Sequence, residues 1–199
     1  MATTENLEEL MSIVALTHSF QQVRRLTYAT GEDRFENDAE HSFQLAFIAW
    51  YLIEKENLPL NKEKVLLYSM CHDIAEIYAG DVSFFRTEKE NDEKIIQEKE
   101  ALEKLRVEYT HFPALAKTIG TYESKSDEES KFVYALDKIL PMMNIQLDGG
   151  RSWHHHNISF ERLHDSKIKK VTVDPIVQKY FVLIVGALRE APHLFPNNK

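Results

Sequence analysis

The sequence contains few of the residues that mark linkers, cross-links or membrane spans. Its 199 residues include one cysteine, six glycines and six prolines. Cys71 therefore has no partner for an internal disulfide, which is typical of a reducing compartment. The longest apolar stretch, Tyr180 to Leu188, is too short to span a bilayer, and no apolar run follows a basic start. We expect one cytoplasmic domain covering residues 1–199, with no membrane partner.

A tract of lysines or arginines is also missing. The net charge is −8, and the acidic residues are spread along the chain. Nonspecific nucleic-acid binders and proteins that bind anionic membranes need a basic face. We therefore expect the protein to belong to neither class. A site for an anionic ligand must then be made locally positive, by a metal ion and a few arginines.

What the chain does contain is a group of acid–base side chains at the end of an apolar helical pattern. His72 and Glu76 are four positions apart and Asp73 and Glu76 are three apart, so a helix would present them on one side. Burying such a group is costly without a cation, and a His–Asp pair supplies two ligands for a divalent ion. An isolated pair of this kind is more often a helix-end histidine beside a solvated acid.

Two further residues, His41 and Asp137, favour a metal site over that ordinary explanation. His41 begins an apolar helical pattern, although a lone histidine there is more often a core residue with one hydrogen bond. Asp137 lies in the middle of another such pattern, between Leu136 and Leu140. An unpaired carboxylate in that position is strongly unfavourable, so Asp137 needs a metal, an arginine or a proton.

In chain order, these residues resemble the H…HD…D pattern of the HD-domain phosphohydrolase superfamily, and within it the bacterial 5'-deoxynucleotidases and their eukaryotic HD-domain-containing relatives. The resemblance covers roughly residues 24–144. It implies a single divalent ion (Mn, Co, Fe, Ni, Zn or Mg), since His111 is the only further histidine between Asp73 and Asp137. The implied ligands are His41, His72, Asp73 and Asp137.

The same resemblance implies hydrolysis of a nucleoside 5'-monophosphate, with deoxyribonucleotides preferred. Glu76 would aim the attacking water and Asp81 would act as a second acid. Either Arg24 or Arg25 would contact the phosphate. The Arg-Trp pair of the family is not reproduced here, so the resemblance does not choose between them. Arg34, seven residues before His41, is a further candidate.

Two other functions remain open. One is an HD enzyme acting on a nucleoside triphosphate or an alarmone, which the lack of an obvious large basic pocket disfavours. The other is a noncatalytic metal-stabilised module that binds a nucleotide or a partner. The resemblance also implies a homodimer, and the charged helical pattern after Thr87 has a thin apolar stripe suited to a partner.

The predicted fold is all-α, an HD-domain bundle of about six to eight helices, with its core in residues 24–144 and closing helices within 158–190. No segment indicates a strand, and residues 6–27 form one amphipathic helical pattern. Capping boxes are predicted at Asn37 with Glu40 and at Ser126 with Glu129. The helix after Asn37 is apolar nearly all round, which indicates a buried helix. Residues 149–156, with three histidines, indicate a loop.

Overall fold

The computed structural model describes residues 3–80 and 88–196, with the backbone alone for residues 88–95. Eight helices of ten or more residues dominate this part of the chain, which confirms the predicted all-α bundle. Two short α-helices, a 3₁₀ helix at Pro192–Leu194 and a two-stranded hairpin complete it. The elements are α1 (Thr4–Phe20), β1 (Arg24–Tyr28), β2 (Phe35–Asn37), α2 (Asp38–Glu56), α3 (Lys62–Cys71), α4 (Glu76–Ala79), α5 (Glu88–Glu108), α6 (Pro113–Ser124), α7 (Glu128–Leu147), α8 (Arg151–His155), α9 (Phe160–Val171) and α10 (Pro175–Arg189).

Helix α7 is the centre of the bundle. It packs against α2, α3, α9 and α10, and its residues Phe132, Val133 and Leu136 have no exposed surface. A second buried cluster, which includes Leu16 and Leu105, joins α1 to α5 and α6 beside the end of α3. No helix among the described residues combines the length and the hydropathy of a membrane span.

The N-terminal caps of α2 and α7 test two predictions made from the local sequence. Asn37 and Glu40 form the predicted capping box of α2. The capping box predicted at Ser126 is wrong, because Asp127 caps α7 and its Oδ1 accepts the Ser130 N–H at 2.7 Å. The Glu129 carboxylate instead accepts the Asn61 N–H at 3.0 Å, so it is not available to close a box.

The first third of the chain contains an antiparallel hairpin that the sequence did not predict. Helix α1 ends at Phe20 rather than continuing to Thr27, and β1 pairs with β2 from Arg24↔Asn37 to Tyr28↔Phe35. In β1, Thr27 is buried while its neighbours are more exposed, which is the two-residue period of a strand. The hairpin matters because it places Arg25 and residues 36–38 beside the end of α3.

Two helices expose apolar side chains that were predicted to be buried. On α2, the side chains of Phe43, Phe47, Trp50 and Tyr51 face solvent, so only one side of this helix enters the core. On α1, Leu7, Leu10 and Met11 are also exposed. The reason is the same in both helices: each packs along one side, and the rest of its apolar surface has no neighbour among the described residues.

The histidine tract is helical rather than a loop. Residues 151–155 form α8, preceded by Gly150 at φ 79°. A Cβ at Gly150 would lie 2.0 Å from the Leu194 carbonyl oxygen, so the close approach of the C-terminal segment requires glycine here. Helix α8 and the next residue hold the hairpin: the Tyr28 N–H donates to Ser152 Oγ at 2.9 Å, and His156 Nε2 donates to the Leu26 carbonyl at 2.8 Å.

Candidate metal centre

His72 is oriented by the last turn of α3. Its Nδ1–H donates to the Ser69 carbonyl at 3.0 Å, which leaves the Nε2 lone pair pointing away from the helix. Nε2 lies 2.9 Å from Asp73 Oδ2 and 3.9 Å from Asp137 Oδ1. A ring nitrogen held in this way is a ready ligand, because its tautomer is fixed by a bond within the chain.

His41 and Asp137 meet across the core, from α2 and α7. His41 Nε2 lies 3.0 Å from Asp137 Oδ1, and His41 has no exposed surface. Burial, followed by the charge of Arg25, lowers the pKa of His41 to about 4, so its imidazole is neutral at pH 7. Its other nitrogen, Nδ1, faces Glu36 Oε1 at 3.8 Å. Carboxylates in this position orient metal-ligating histidines.

These residues fit a divalent cation. The ligand atoms of His41, His72 and Asp73 all lie within 4.8 Å of one another. Neighbouring ligands on an ion with bonds of about 2.0–2.1 Å are roughly 2.9–3.4 Å apart. The His72–Asp73 and His41–Asp137 separations of 2.9 and 3.0 Å fall in that range, and the His72–Asp137 separation of 3.9 Å is longer. Burial disfavours the carboxylate of Asp137, but the charge of Lys138 and the hydrogen bond from His41 hold its pKa well below the ordinary range. A set of two imidazoles and two carboxylates suits a first-row divalent ion.

Glu76 also lies beside the candidate ligands, but the backbone between Cys71 and Glu76 is not the continuous helix that was predicted. Helix α3 ends at Cys71, and the turns that follow are closed by bonds three residues apart, including Glu76 N–H to Asp73 O at 2.8 Å. Residues three apart eclipse in such turns. The carboxylates of Asp38, Asp73 and Glu76 consequently lie within 4.8 Å of one another. Asp81, the predicted second acid, lies outside the described residues.

The structure separates the three candidate arginines. Arg25 lines the main cavity, and its guanidinium contacts Glu36 at 3.2 Å, Asp38 at 2.9 Å and Asp73 at 2.8 Å. The positive charge of Arg25 neutralises part of the negative charge of these three carboxylates. Arg24 is exposed and borders a smaller cavity with Arg34. Arg34 pairs with Glu40 at 2.6 Å and with Glu32 at 2.7 Å, on the surface.

A cavity of about 960 Å³ opens next to the candidate ligands. His72, Asp73, Asp137 and Glu76 line one side, and the described lining residues include seven lysines and arginines against five acids. The expectation that no large basic pocket exists was therefore wrong. Most of these basic residues are far apart in the chain and belong to no motif, so the sequence did not predict that they lie together. Lys138, directly after Asp137, was the exception.

The sequence reasoning also missed two buried acids next to the ligands. Asp38 has no exposed surface and Glu36 is 5% exposed. Burial raises the pKa of Glu36 to about 7, although Arg25 opposes this shift. Both acids flank the Asn37 cap, and acidic residues at a helix start are ordinarily explained by the helix dipole. Only the pairing of β1 with β2 shows that they face Arg25.

Comparison with known proteins agrees with this geometry. A crystal structure named "Predicted metal-dependent phosphohydrolase", from Magnetospirillum magnetotacticum MS-1, matches 96% of this chain and 98% of its own, at 25% identity and a TM-score of 0.76. A protein from Pyrococcus horikoshii OT3 shares the fold at a TM-score of 0.63, with 20% identity over 90% of this chain and 98% of its own.

Curated relatives match over a shorter stretch. A 5'-deoxynucleotidase of Yersinia pestis (strain Pestoides F) is 43% identical over 53 residues, which are 25% of this chain and 27% of the length of that relative. The aligned part thus spans about a quarter of either protein. The family model described as "HD domain" matches residues 18–176. That match covers most of the chain and all four candidate metal ligands, and the protein belongs to the HD-domain family.

Proposed function

We propose that this HD-domain protein is a metal-dependent phosphohydrolase that converts nucleoside 5'-monophosphates to nucleoside and phosphate, with deoxyribonucleotides preferred. The observation that carries the proposal is the convergence of His41, His72 and Asp73 next to a large cavity, which His72 and Asp73 line together with Arg25 and Glu76. The short match to 5'-deoxynucleotidases supports the choice of substrate.

His41, His72, Asp73 and Asp137 would hold one divalent ion. When bound, such an ion polarises a phosphoryl oxygen and lowers the pKa of a water molecule. Arg25 supports a single ion, because its guanidinium already supplies positive charge to Asp38 and Asp73. His111, the other histidine of this region, bonds to Ser12 on the surface. Mn, Co, Fe, Ni, Zn and Mg all remain candidates for the metal.

The side chains around the metal site have separate roles in the reaction. Glu76 accepts the proton of the attacking water, since its carboxylate lies in the cavity beside Asp73. Arg25 is fixed by three carboxylates, which orients its guanidinium at the cavity wall for contact with a phosphate. Asp81 is proposed as the second acid, which assists the leaving oxygen. Arg24 and Arg34 stay weaker proposals for substrate contact because both lie on the surface outside the main cavity.

The direct test is a screen of phosphate release. Ribo- and deoxyribonucleoside monophosphates and triphosphates are each assayed with every candidate metal and after chelation. The proposal expects release from monophosphates, faster for deoxyribonucleotides, and no activity after chelation. Release from triphosphates alone would contradict it. Elemental analysis of the purified protein should give one metal per chain, and two metals would contradict the single site.

One observation favours a second candidate, hydrolysis of a nucleoside triphosphate. Seven basic residues line a cavity of about 960 Å³, more than one monophosphate requires. The same screen decides between the two, because it measures both classes of nucleotide with the same metal.

We also propose a homodimer. In the predicted stripe of α5, Leu105 is buried within the chain, so the surface of α2 offers better support than α5. The Phe43 and Phe47 rings lie 6.2 Å apart and the Phe47 and Trp50 rings 6.0 Å, which makes one continuous exposed patch. Such patches are uncommon on monomers. Light scattering should give twice the chain mass, and Phe47→Lys should give a monomer. A monomeric wild-type protein at micromolar concentration would contradict the proposal.

A further inference from the structure

Tyr122 of α6 is a buried tyrosine that also reaches the main cavity. It is 3% exposed and belongs to the larger of the two buried hydrophobic clusters, and it is one of the residues that line the cavity. Its ring centroid lies 5.8 Å from that of Tyr68 and 5.9 Å from that of His72. The His72 ring is nearly perpendicular to it, at 76°. Tyr122 is therefore a direct neighbour of a candidate metal ligand.

The hydroxyl groups of the two tyrosines differ in their partners. The Tyr68 hydroxyl donates to Asp127 Oδ2 at 2.9 Å, and Tyr68 is not among the described residues that line the cavity. The Tyr122 hydroxyl has no hydrogen-bond partner among the residues that the structure describes, and its oxygen is not fully enclosed by protein. A tyrosine buried to this degree usually bonds its hydroxyl to a partner, because an unpaired one is unfavourable. A molecule in the cavity can supply that partner.

The surroundings of the Tyr122 hydroxyl favour a ligand that accepts a hydrogen bond. Burial, followed by the charges of Asp137 and Asp73, raises the pKa of Tyr122 well above its ordinary value. Like any phenol at neutral pH, the hydroxyl keeps its proton and can donate it. Asp137 influences it but is already paired with His41 and Lys138. The donor is thus close to the candidate metal centre and open to an oxygen of a molecule bound there.

We propose that the Tyr122 hydroxyl donates a hydrogen bond to a phosphoryl oxygen of the substrate. The proposal rests on the proposed function in placing the phosphate at the metal centre beside His72. A hydrogen bond to an ionised oxygen is roughly twice as strong as one between neutral groups. Packing against Tyr68 and His72 fixes the ring, so the donor needs no reorganisation when the substrate binds. Tyr122 thereby holds the phosphate in position for the water that Glu76 aims.

The test compares Tyr122→Phe with Tyr68→Phe. Each change removes one hydroxyl from a buried ring and keeps the ring, and the two rings are neighbours in the same cluster. Calorimetry on the Mn²⁺-loaded protein measures the binding of inorganic phosphate. Loss of a hydrogen bond to a charged group should weaken binding roughly ten- to hundredfold in Tyr122→Phe. Tyr68→Phe should bind phosphate like the wild type.

Urea denaturation gives the opposite contrast between the two variants. Tyr68→Phe should unfold at a lower urea concentration, since it loses the bond to Asp127. Tyr122→Phe should unfold at the same or a higher concentration, because its hydroxyl has no bond to lose within the described part of the chain. A Tyr122→Phe protein that is destabilised yet binds phosphate normally would show that this hydroxyl serves the fold, and the inference would be wrong.

Metal content and steady-state kinetics complete the experiment. Tyr122→Phe should keep its metal and lower kcat/KM roughly ten- to hundredfold. Unchanged phosphate affinity and unchanged kcat/KM in this variant would overturn the inference and leave the proposed function intact. If the wild type binds phosphate through Tyr122 but hydrolyses none of the nucleotides, the proposed function fails and the phosphate contact stands. A wild type that neither binds phosphate nor hydrolyses a nucleotide would overturn both.

Discussion

Two sets of side chains at the main cavity carry opposite charges. One set, here called the metal wall, consists of His41 on α2, His72 and Asp73 directly after α3, and Asp137 on α7; all but the fully buried His41 line the cavity. A second set, called the lysine wall, consists of Lys138, Lys167 and Lys170, and Lys138 forms an ion pair with Asp137 of the first set. Each group of charges is costly to bury without charges of the opposite sign nearby. The two sets differ in their expected contribution to activity, and variants of the metal wall test the larger contribution.

The largest effect is expected from the metal wall. His72→Ala removes an imidazole that is fixed by the Ser69 carbonyl, so metal and activity should be lost together. His111→Ala is the matched control, because His111 bonds to Ser12 on the surface. Metal content and phosphate release are measured for both. A His72→Ala protein that retains stoichiometric metal would remove His72 from the ligand set.

Glu76→Gln should separate binding from hydrolysis at the same wall. The amide cannot accept the proton of the attacking water, so kcat should fall by about 10²- to 10⁴-fold, the typical contribution of a general base. Metal content and phosphate affinity should stay near those of the wild type. Single-turnover assays provide the measurement. Full turnover, or loss of the metal, would make the assigned role wrong and would leave Asp81 as the leading candidate for the base.

Two of the three arginines of the hairpin, Arg25 and Arg34, provide a graded comparison. Arg25→Lys keeps the charge but cannot contact Glu36, Asp38 and Asp73 with one planar group, so kcat/KM should fall roughly ten- to hundredfold. Arg34→Lys alters only exposed ion pairs, which are worth about 0–1 kcal/mol. Its kcat/KM should change less than about fivefold. Equal effects in the two variants would contradict the assignment of Arg25 to the cavity.

The smallest effect is expected far from both walls, at the start of α7. Asp127→Ala removes the cap of that helix and should lower the free energy of unfolding by about 1 kcal/mol, with little change in kcat. Burial opposes ionisation, but Lys64 and Ser130 lower the pKa of Asp127 to about 2. Its stabilisation is therefore present above pH 3.8, the ordinary pKa, and is lost as the pH falls through 2.

Denaturation of the wild type and of Asp127→Ala across this pH range checks the sign. The difference in stability between them should shrink as the solution becomes more acidic. A difference that grows on acidification would contradict the assignment of the cap.

Prediction from the sequence worked where the chemistry is local. The capping box at Asn37 and Glu40 depends on residues three apart, and the all-α fold follows from helical periodicity. The hairpin was missed because β1 follows α1 with no proline or glycine between them, and its five residues show only a weak alternation. The burial of Lys167 was missed because α9 is strongly charged, and only packing shows which of its lysines faces inward.

The anchoring of the hairpin by α8 also bears on the order in which the protein is made and folds. A two-stranded ribbon is at best marginally stable alone in water. The bonds that hold this one come from Ser152 and His156, more than 120 residues later in the chain. On the ribosome, β1 emerges long before these residues, so Arg25 can take its final position only after most of the protein has been synthesised. Assembly of the arginine side of the site is thus a late, long-range event.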